Sequence, residues 1–383
     1  MAEPGKVYRK HQSFVGLKSR RKAAGPSALD RLKALDTSLP TSGDAKLKVV
    51  RRALDELLGR AAPAGQEAFA LHPNSEAEIG TLTDAELPRY LHYRFRYETF
   101  PARRELDLWP PLVQIEPASV CNYRCVFCYQ TDAAFTKKSN GHMGLMKLDL
   151  FKRVIDDIEG QVEAVTLASR GEPLLCPDLE KMLVYAKGKF LALKLNTNAW
   201  SLDEKRCHAI LESDVQTLVF SADAAAEPAY STLRVGGTLE RVLANVKRFH
   251  DIRDKHYPKT RLITRVSGVK VPGSGELDDM EKVWGDFVDQ VAFVDYNPWE
   301  NTYERPVNVL KTPCSDLWRR IFVWWDGLAN PCDVDYKSHL RVGTADQASV
   351  GKLWRSPGYE SLRARHLEKR RQACSPCDRC TVI

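Results

Sequence analysis

Between Leu112 and Tyr296, short aliphatic and β-branched runs alternate with longer stretches whose apolar residues recur at helical spacing. No other feature of the chain limits its fold as strongly. The runs "LVQIEP", "AVTLAS", "ALKLNTN", "TLVFSAD", "RLITRVSGV" and "QVAFVDY" read as strands. Helices read through "LDLFKRVIDDIEG", "PDLEKMLVYAKGK", "SLDEKRCHAILES", "TLERVLANVKRFHDIRDKH" and "LDDMEKVWGDFV". Strands that alternate with helices pair in parallel as βαβ units. Such a series predicts an α/β fold over residues 109–311, a partial (β/α)6 barrel rather than a flat doubly wound sheet, although periodicity alone does not separate the two. Barrels of this kind do chemistry at the C-terminal ends of their strands, where the unusual residues of this sequence fall.

Residues 1–108 read as a separate, mainly helical extension. In "DAKLKVVRRALDELLGRAA" the residues Leu47, Val50, Leu54 and Leu58 recur at helical spacing. A loop-like stretch, "PAGQEAFALHPNSEAEIGTLTDAEL", precedes a second helix in "LPRYLHYRFRYET". Residues 312–383 break into short Trp-rich, cysteine-bearing segments, as expected of a small separate module. Hydrophobic and charged fractions of 43% and 28% are those of a soluble globular chain. No apolar run approaches the roughly 20 residues of a membrane helix. The basic start lacks the apolar core of a secretory signal, so a cytoplasmic protein without a membrane segment is expected. The net charge of +7 is scattered, which favours a solvated surface over a nucleic-acid face. Ten cysteines in a reducing compartment point to metal or catalytic thiolates rather than disulfides.

Three of those cysteines, Cys121, Cys125 and Cys128, fall within eight positions directly after the first strand of the series. A structural zinc site wants four ligands, usually as two pairs from separate ribbons. Three thiolates in one loop suit a four-iron cluster that keeps one iron open to another ligand. The spacing Cys-x3-Cys-x2-Cys, with Phe127 before the third cysteine, resembles the signature of the radical S-adenosylmethionine superfamily. That resemblance implies a [4Fe-4S] cluster whose open iron chelates S-adenosylmethionine, and a 5′-deoxyadenosyl radical as the reactive species.

Later stretches extend the resemblance. "SRGEP" is similar to the family's Gly-Gly-Glu-Pro motif, which makes Gly171, Glu172 and Pro173 candidates for holding the methionine end. Arg170 stands there in place of a glycine. "LNTNA" resembles the ribose-binding region, with Asn196, Thr197 and Asn198 as candidates and Ala199 where glycine is usual. "FSADAAAEPAYSTLRVGG" resembles a third family stretch carrying Ser221, Asp223 and Arg234, whose guanidinium suits a carboxylate. At the C-terminus, Cys314, Cys332, Cys377 and Cys380 resemble the ligands of a SPASM/twitch extension, which implies a second, auxiliary [4Fe-4S] cluster. Cys374 with Cys377 is the alternative closing pair.

The twitch-like pattern implies an oxidoreductase acting on a secondary alcohol of a sugar or aminocyclitol. A radical epimerase, a peptide-modifying enzyme and an iron–sulfur electron carrier are the competing readings. A flavodoxin- or ferredoxin-type reductant is implied as partner. Cys176, just past the Gly-Glu-Pro stretch, is either a hydrogen donor or a packed core residue, and Cys207 reads as core. Asp295 and Tyr296 at the last strand end, or Asp333 and Asp335 beside Cys332, are candidate bases. The same acids also suit helix caps or surface positions, and His339 reads as structural.

Overall fold

The computed structural model describes residues 7–10, 14–20, 26–40, 43–61 and 63–383. Six parallel strands lie side by side in chain order: β2 (Leu112–Ile115), β3 (Ala164–Leu167), β4 (Ala192–Thr197), β5 (Thr217–Ser221), β6 (Ile263–Lys270) and β7 (Gln290–Asp295). This is the α/β partial barrel that the alternation predicts. Each crossover helix turns one apolar stripe inward. In Leu148–Ile158 the buried residues are Phe151, Val154, Ile155 and Ile158, spaced to share one face.

Both edges of the six-stranded sheet are extended by segments from outside it. β1 (Phe14–Ser19) pairs antiparallel with β7. On the far side β8 (Arg320–Val323) pairs in parallel with β2, and β9 (Leu328–Asn330) and β10 (Gly343–Thr344) follow antiparallel. The C-terminal segment therefore continues the sheet.

Before the barrel come helices α1 (Ala28–Ser38), α2 (Ala45–Leu57), α3 (Pro73–Ile79) and α4 (Leu87–Arg103). They form a second apolar core with Leu112, Ala164 and Leu191, at the N-terminal ends of β2, β3 and β4. Leu54 and Val50 of α2 are buried in it, as their spacing predicts. α3 lies inside the stretch that reads as loop. It is a seven-residue helix, opened by Pro73 at its first position and fixed by burial of Ser75 and Ile79. β1 also escapes a sequence reading, because "FVGLKS" is short and exists as a strand only through its partner β7.

Side chains alternate across the barrel wall. Leu193 and Leu195 pack in the main core, whereas Ala192, Lys194 and Asn196 border a central cavity of about 750 Å³. The floor of that cavity includes Tyr93, Arg94 and Tyr97 of α4.

Candidate active site

The three-cysteine loop leaves the C-terminal end of β2. Its thiols are not all sealed in: Cys125 is buried, while Cys121 and Cys128 are half-exposed. The Tyr123 amide donates to Cys121 Sγ at 3.4 Å, and Arg234 Nη1 approaches Cys125 Sγ at 3.9 Å. Burial pushes the Cys121 thiol up to about 12 and raises Cys125 and Cys128 as well, so binding iron would release protons.

The "SRGEP" turn lies directly against this loop. A Cβ on Gly171 would sit 2.3 Å from the Val120 carbonyl oxygen, and the Glu172 amide donates to that same oxygen at 2.9 Å. Only glycine permits this approach. The buried Glu172 carboxylate accepts from Thr197 Oγ1 at 2.7 Å, the Asn198 amide at 2.7 Å and the Leu174 amide at 3.0 Å. Glu172 thus ties the ends of β3 and β4 together, and Pro173 opens the short turn that follows it. Asn198 Nδ2 donates to Asn122 Oδ1 at 3.0 Å, which joins the "LNTNA" stretch to the cysteine loop. Ala199 holds the left-handed conformation for which glycine is usual, with φ of 59°.

Arg170 is not a local disturbance. It donates from Nη2 and Nε to the Glu116 carboxylate at 2.6 and 2.8 Å, and from Nη1 to the Tyr336 carbonyl at 2.9 Å, all buried. Its guanidinium also lies 4.3 Å from the ring centroid of Trp324. Where the family's glycine would give freedom, this chain has a strut between the barrel and its C-terminal segment.

Asp223 and Arg234 form a buried ion pair, Nε to Oδ2 at 2.5 Å, although the geometry is not that of a hydrogen bond. The Arg234 guanidinium lies 5.7 Å from the ring centroid of the half-buried Phe127. Ser221 is half-buried at the end of β5, in register with Ser267. Among the described residues, Asn122 Nδ2, Tyr123 Oη, Asp223 Oδ2, Asn196 Oδ1 and Arg234 Nε are buried without a hydrogen-bond partner. Three thiols beside unsatisfied donors and acceptors fit an iron–sulfur cluster with a polar amino-acid-like ligand.

A second cavity lies in the C-terminal segment. Cys314, Cys332, Cys377 and Cys380 line it together with Leu317, Val334, Leu340, Leu362 and Val382. The buried Arg371 donates to the carbonyls of Cys377 and Cys380 and so braces the last cysteine turn. Cys374 does not border the cavity; its thiol faces Arg365 Nη1 at 4.0 Å. Among the described residues no three ligand side chains converge as around a single ion. A tetrahedral zinc site would need sulfurs about 4 Å apart. Four thiols around an apolar space fit a four-iron cluster instead.

The remaining candidates spread out. Cys176 is buried in the main core with its thiol 3.9 Å from the Met146 carbonyl, and Cys207 is in the same core. The Tyr296 hydroxyl donates to Glu300, and the Tyr296 amide to Asp295 Oδ1 at 3.1 Å; neither residue borders the central cavity. Asp335 staples its own loop through the amides of His339 and Leu340 and the Tyr303 hydroxyl. His339 packs against the Tyr303 ring. Asp333 does border the cavity, and Lys10 Nζ donates to it at 2.7 Å and to Asp316 at 2.5 Å. Lys10, Glu116, Arg371 and the cavity-lining Lys194 and Arg265 escaped the sequence reading. For Lys194 the one available signal is a charge between two leucines of a strand.

Residues 115–264 match the radical SAM superfamily, and residues 314–381 match the SPASM family, an iron–sulfur cluster-binding domain. The chain therefore carries a radical SAM domain and, C-terminal to it, a SPASM iron–sulfur domain. Its cofactors are accordingly S-adenosylmethionine with a [4Fe-4S] cluster, and auxiliary iron–sulfur centres in the C-terminal domain.

Among curated proteins, the AdoMet-dependent heme synthase of Methanosarcina barkeri (strain Fusaro / DSM 804) is 28% identical over 139 residues, 36% of this chain. That match spans 38% of the relative's length. Among solved structures, Streptococcus suis SuiB bound to precursor peptide SuiA is 12% identical, with 86% of each chain covered and a TM-score of 0.51. Native anSMEcpe with bound AdoMet is 15% identical, covering 70% of this chain and 88% of its own, with a TM-score of 0.50. These likenesses concern the fold. Among the described residues no helix is long and apolar enough to cross a membrane.

Proposed function

We propose that the protein cleaves S-adenosylmethionine reductively and oxidises a secondary alcohol of a sugar- or cyclitol-sized substrate to the ketone. One observation carries this reading: the central cavity is bounded both by Tyr129, next to Cys128, and by Asp333, next to Cys332. A substrate there lies between the two thiol groups. When bound, the cofactors supply a 5′-deoxyadenosyl radical that takes the carbinol hydrogen atom, and a sink for the electron lost next.

The chain's own residues do the rest. Cys121, Cys125 and Cys128 hold one cluster, and Cys314, Cys332, Cys377 and Cys380 the other. Glu172, through Thr197 and Asn198, fixes the strand ends where S-adenosylmethionine would be held, and the Arg234 guanidinium would pair with its carboxylate. Asp333, kept in place by Lys10, accepts the hydroxyl proton. Oxidation is favoured over epimerisation because, among the described residues, no cysteine lines the cavity to return a hydrogen atom.

Turnover in deuterated water with a panel of neutral and acidic cyclitols and sugars tests the proposal. Ketone formed in step with 5′-deoxyadenosine, without stable deuterium at carbon, is expected. A stable deuterium at an inverted carbon would replace oxidation by epimerisation.

A further inference from the structure

Five cationic side chains line the central cavity, Lys10, Arg94, Lys194, Arg265 and Arg320, against three carboxylates, Glu78, Glu98 and Asp333. Most of these charges are spoken for. Arg94 pairs with Glu98, Lys10 with Asp316 and Asp333, and Arg320 with Asp316 and the Tyr97 hydroxyl. Glu78 accepts from the Tyr90 hydroxyl at 2.5 Å. His72, also on the cavity wall, lies 3.9 Å from Glu98.

Lys194 and Arg265 differ. Among the described residues the Lys194 ammonium makes no ion pair or hydrogen bond at contact distance, and the cavity-lining Glu78 carboxylate attracts it only from farther away. Arg265 spends only Nε, on Gln290 Oε1 at 2.8 Å, and lies 5.2 Å from the Phe14 ring centroid. Neither contacts a carboxylate, although Glu78 attracts both from a distance. Burial lowers the Lys194 ammonium to about 8 and also lowers the Arg265 guanidinium, the direction expected when a charge lacks compensation.

Both residues line the lumen from the same stretch of sheet, Lys194 on β4 and Arg265 on β6, with β5 between them. Lys194 shares a row of the sheet with Gln114, Thr166 and Thr217. Arg265 is in the next row, with Val219 and Asn196. Two residues along β4 separate Lys194 from Asn196, about 7 Å of strand. A ligand anchored by both cations would therefore extend from the lower lumen toward the layer where the ribose-binding stretch begins.

We propose that the lumen binds a substrate bearing an anionic group, a carboxylate or a phosphate, with Lys194 and Arg265 as its anchors. The inference rests on the reading above only in taking the lumen as the substrate site. It narrows the substrate class: an ammonium-bearing aminocyclitol would enter a space with an excess of positive charge, whereas an acidic or phosphorylated polyol would complete two unpaired cations.

The test uses full-length, cluster-reconstituted protein under anaerobic conditions at constant ionic strength in chloride. Inorganic phosphate, glycolate and myo-inositol are titrated separately, with binding read by calorimetry and by melting temperature. Saturable binding of phosphate or of glycolate, but not of inositol, is expected, and the anion that binds identifies the group. Lys194→Met should weaken that binding at least tenfold; it removes a half-buried charge that contacts no carboxylate and so should fold. Arg265→Met should do the same, with Arg265→Lys restoring part of the affinity. The proposal is overturned if neither anion saturates on the wild type, if inositol binds equally, or if Lys194→Met binds as the wild type does. 5′-Deoxyadenosine formation is assayed separately without added anion. Cleavage without anion binding would sink the anion site alone, and anion binding without cleavage would sink the enzymatic reading alone.

Discussion

The two cysteine groups meet opposite demands. The first offers three thiols on a loop at the strand ends, two of them half-exposed, beside unsatisfied buried donors and a central cavity. The second gathers four thiols around an apolar pocket walled by leucine and valine and braced by Arg371. On the proposed reading, three ligands and access would leave an iron for an outside molecule, whereas four ligands and an apolar wall would leave room only for electrons to pass. Ligand count and surroundings, rather than cysteine number, separate a reactive centre from a relay.

The sharpest way to break this contrast is at the C-terminal turn. Cys380→Ala should lower iron from about eight to about four per chain, whereas Cys374→Ala should retain about eight, measured after anaerobic reconstitution. The reverse result would move the closing pair to Cys374 and Cys377.

Arg170 joins the two regions, since it holds Glu116 ahead of the first loop and the Tyr336 carbonyl beyond the second. Restoring the family's glycine with Arg170→Gly should cost about 3–5 kcal/mol, because it strands a fully buried carboxylate. A melting temperature within a degree of wild type would show that Glu116 is compensated otherwise.

Between the regions lies the unpaired Lys194. Its ammonium is lowered to about 8 from 10.5, so the unfolded chain binds the extra proton between those values and stability rises with pH across that window. Below pH 8 the full penalty, about 3 kcal/mol at most, is present. Lys194→Met should accordingly raise the anaerobic melting temperature at pH 7, with the gain shrinking above pH 8. A variant less stable than wild type at pH 7 would point to a hidden partner for Lys194.

The smallest effect is expected at Ala199, whose φ of 59° sits with a fully buried methyl. Glycine would relieve about 1–2 kcal/mol of backbone strain but lose about 0.8 kcal/mol of methyl burial and gain unfolded-state freedom. Ala199→Gly should thus move stability by less than about 1 kcal/mol. A larger loss would mean that the methyl packs a contact the strand end depends on.

These residues also mark what a sequence can and cannot convey. The barrel strands and their helices were legible because the periods 2 and 3.6 are local. Cys121, Cys125 and Cys128 were legible because their spacing is local too. Glu116 and Arg170 are 54 positions apart, and their pairing exists only once β2 and β3 are neighbours. The alternation around Lys194 was visible, yet whether its face meets helices or a cavity depends on how the sheet curves. β1 needed β7 to exist at all, and the choice between Cys374 and Cys380 needed the pocket they do or do not line.

The most direct test of the two-centre account pairs iron analysis with 5′-deoxyadenosine formation in two triple variants. Changing Cys121, Cys125 and Cys128 together to Ala should remove about half the iron and all cleavage of S-adenosylmethionine. Changing Cys332, Cys377 and Cys380 together should remove the other half while uncoupled cleavage persists. Cleavage that survives in the first variant, or iron that falls in neither, would contradict it.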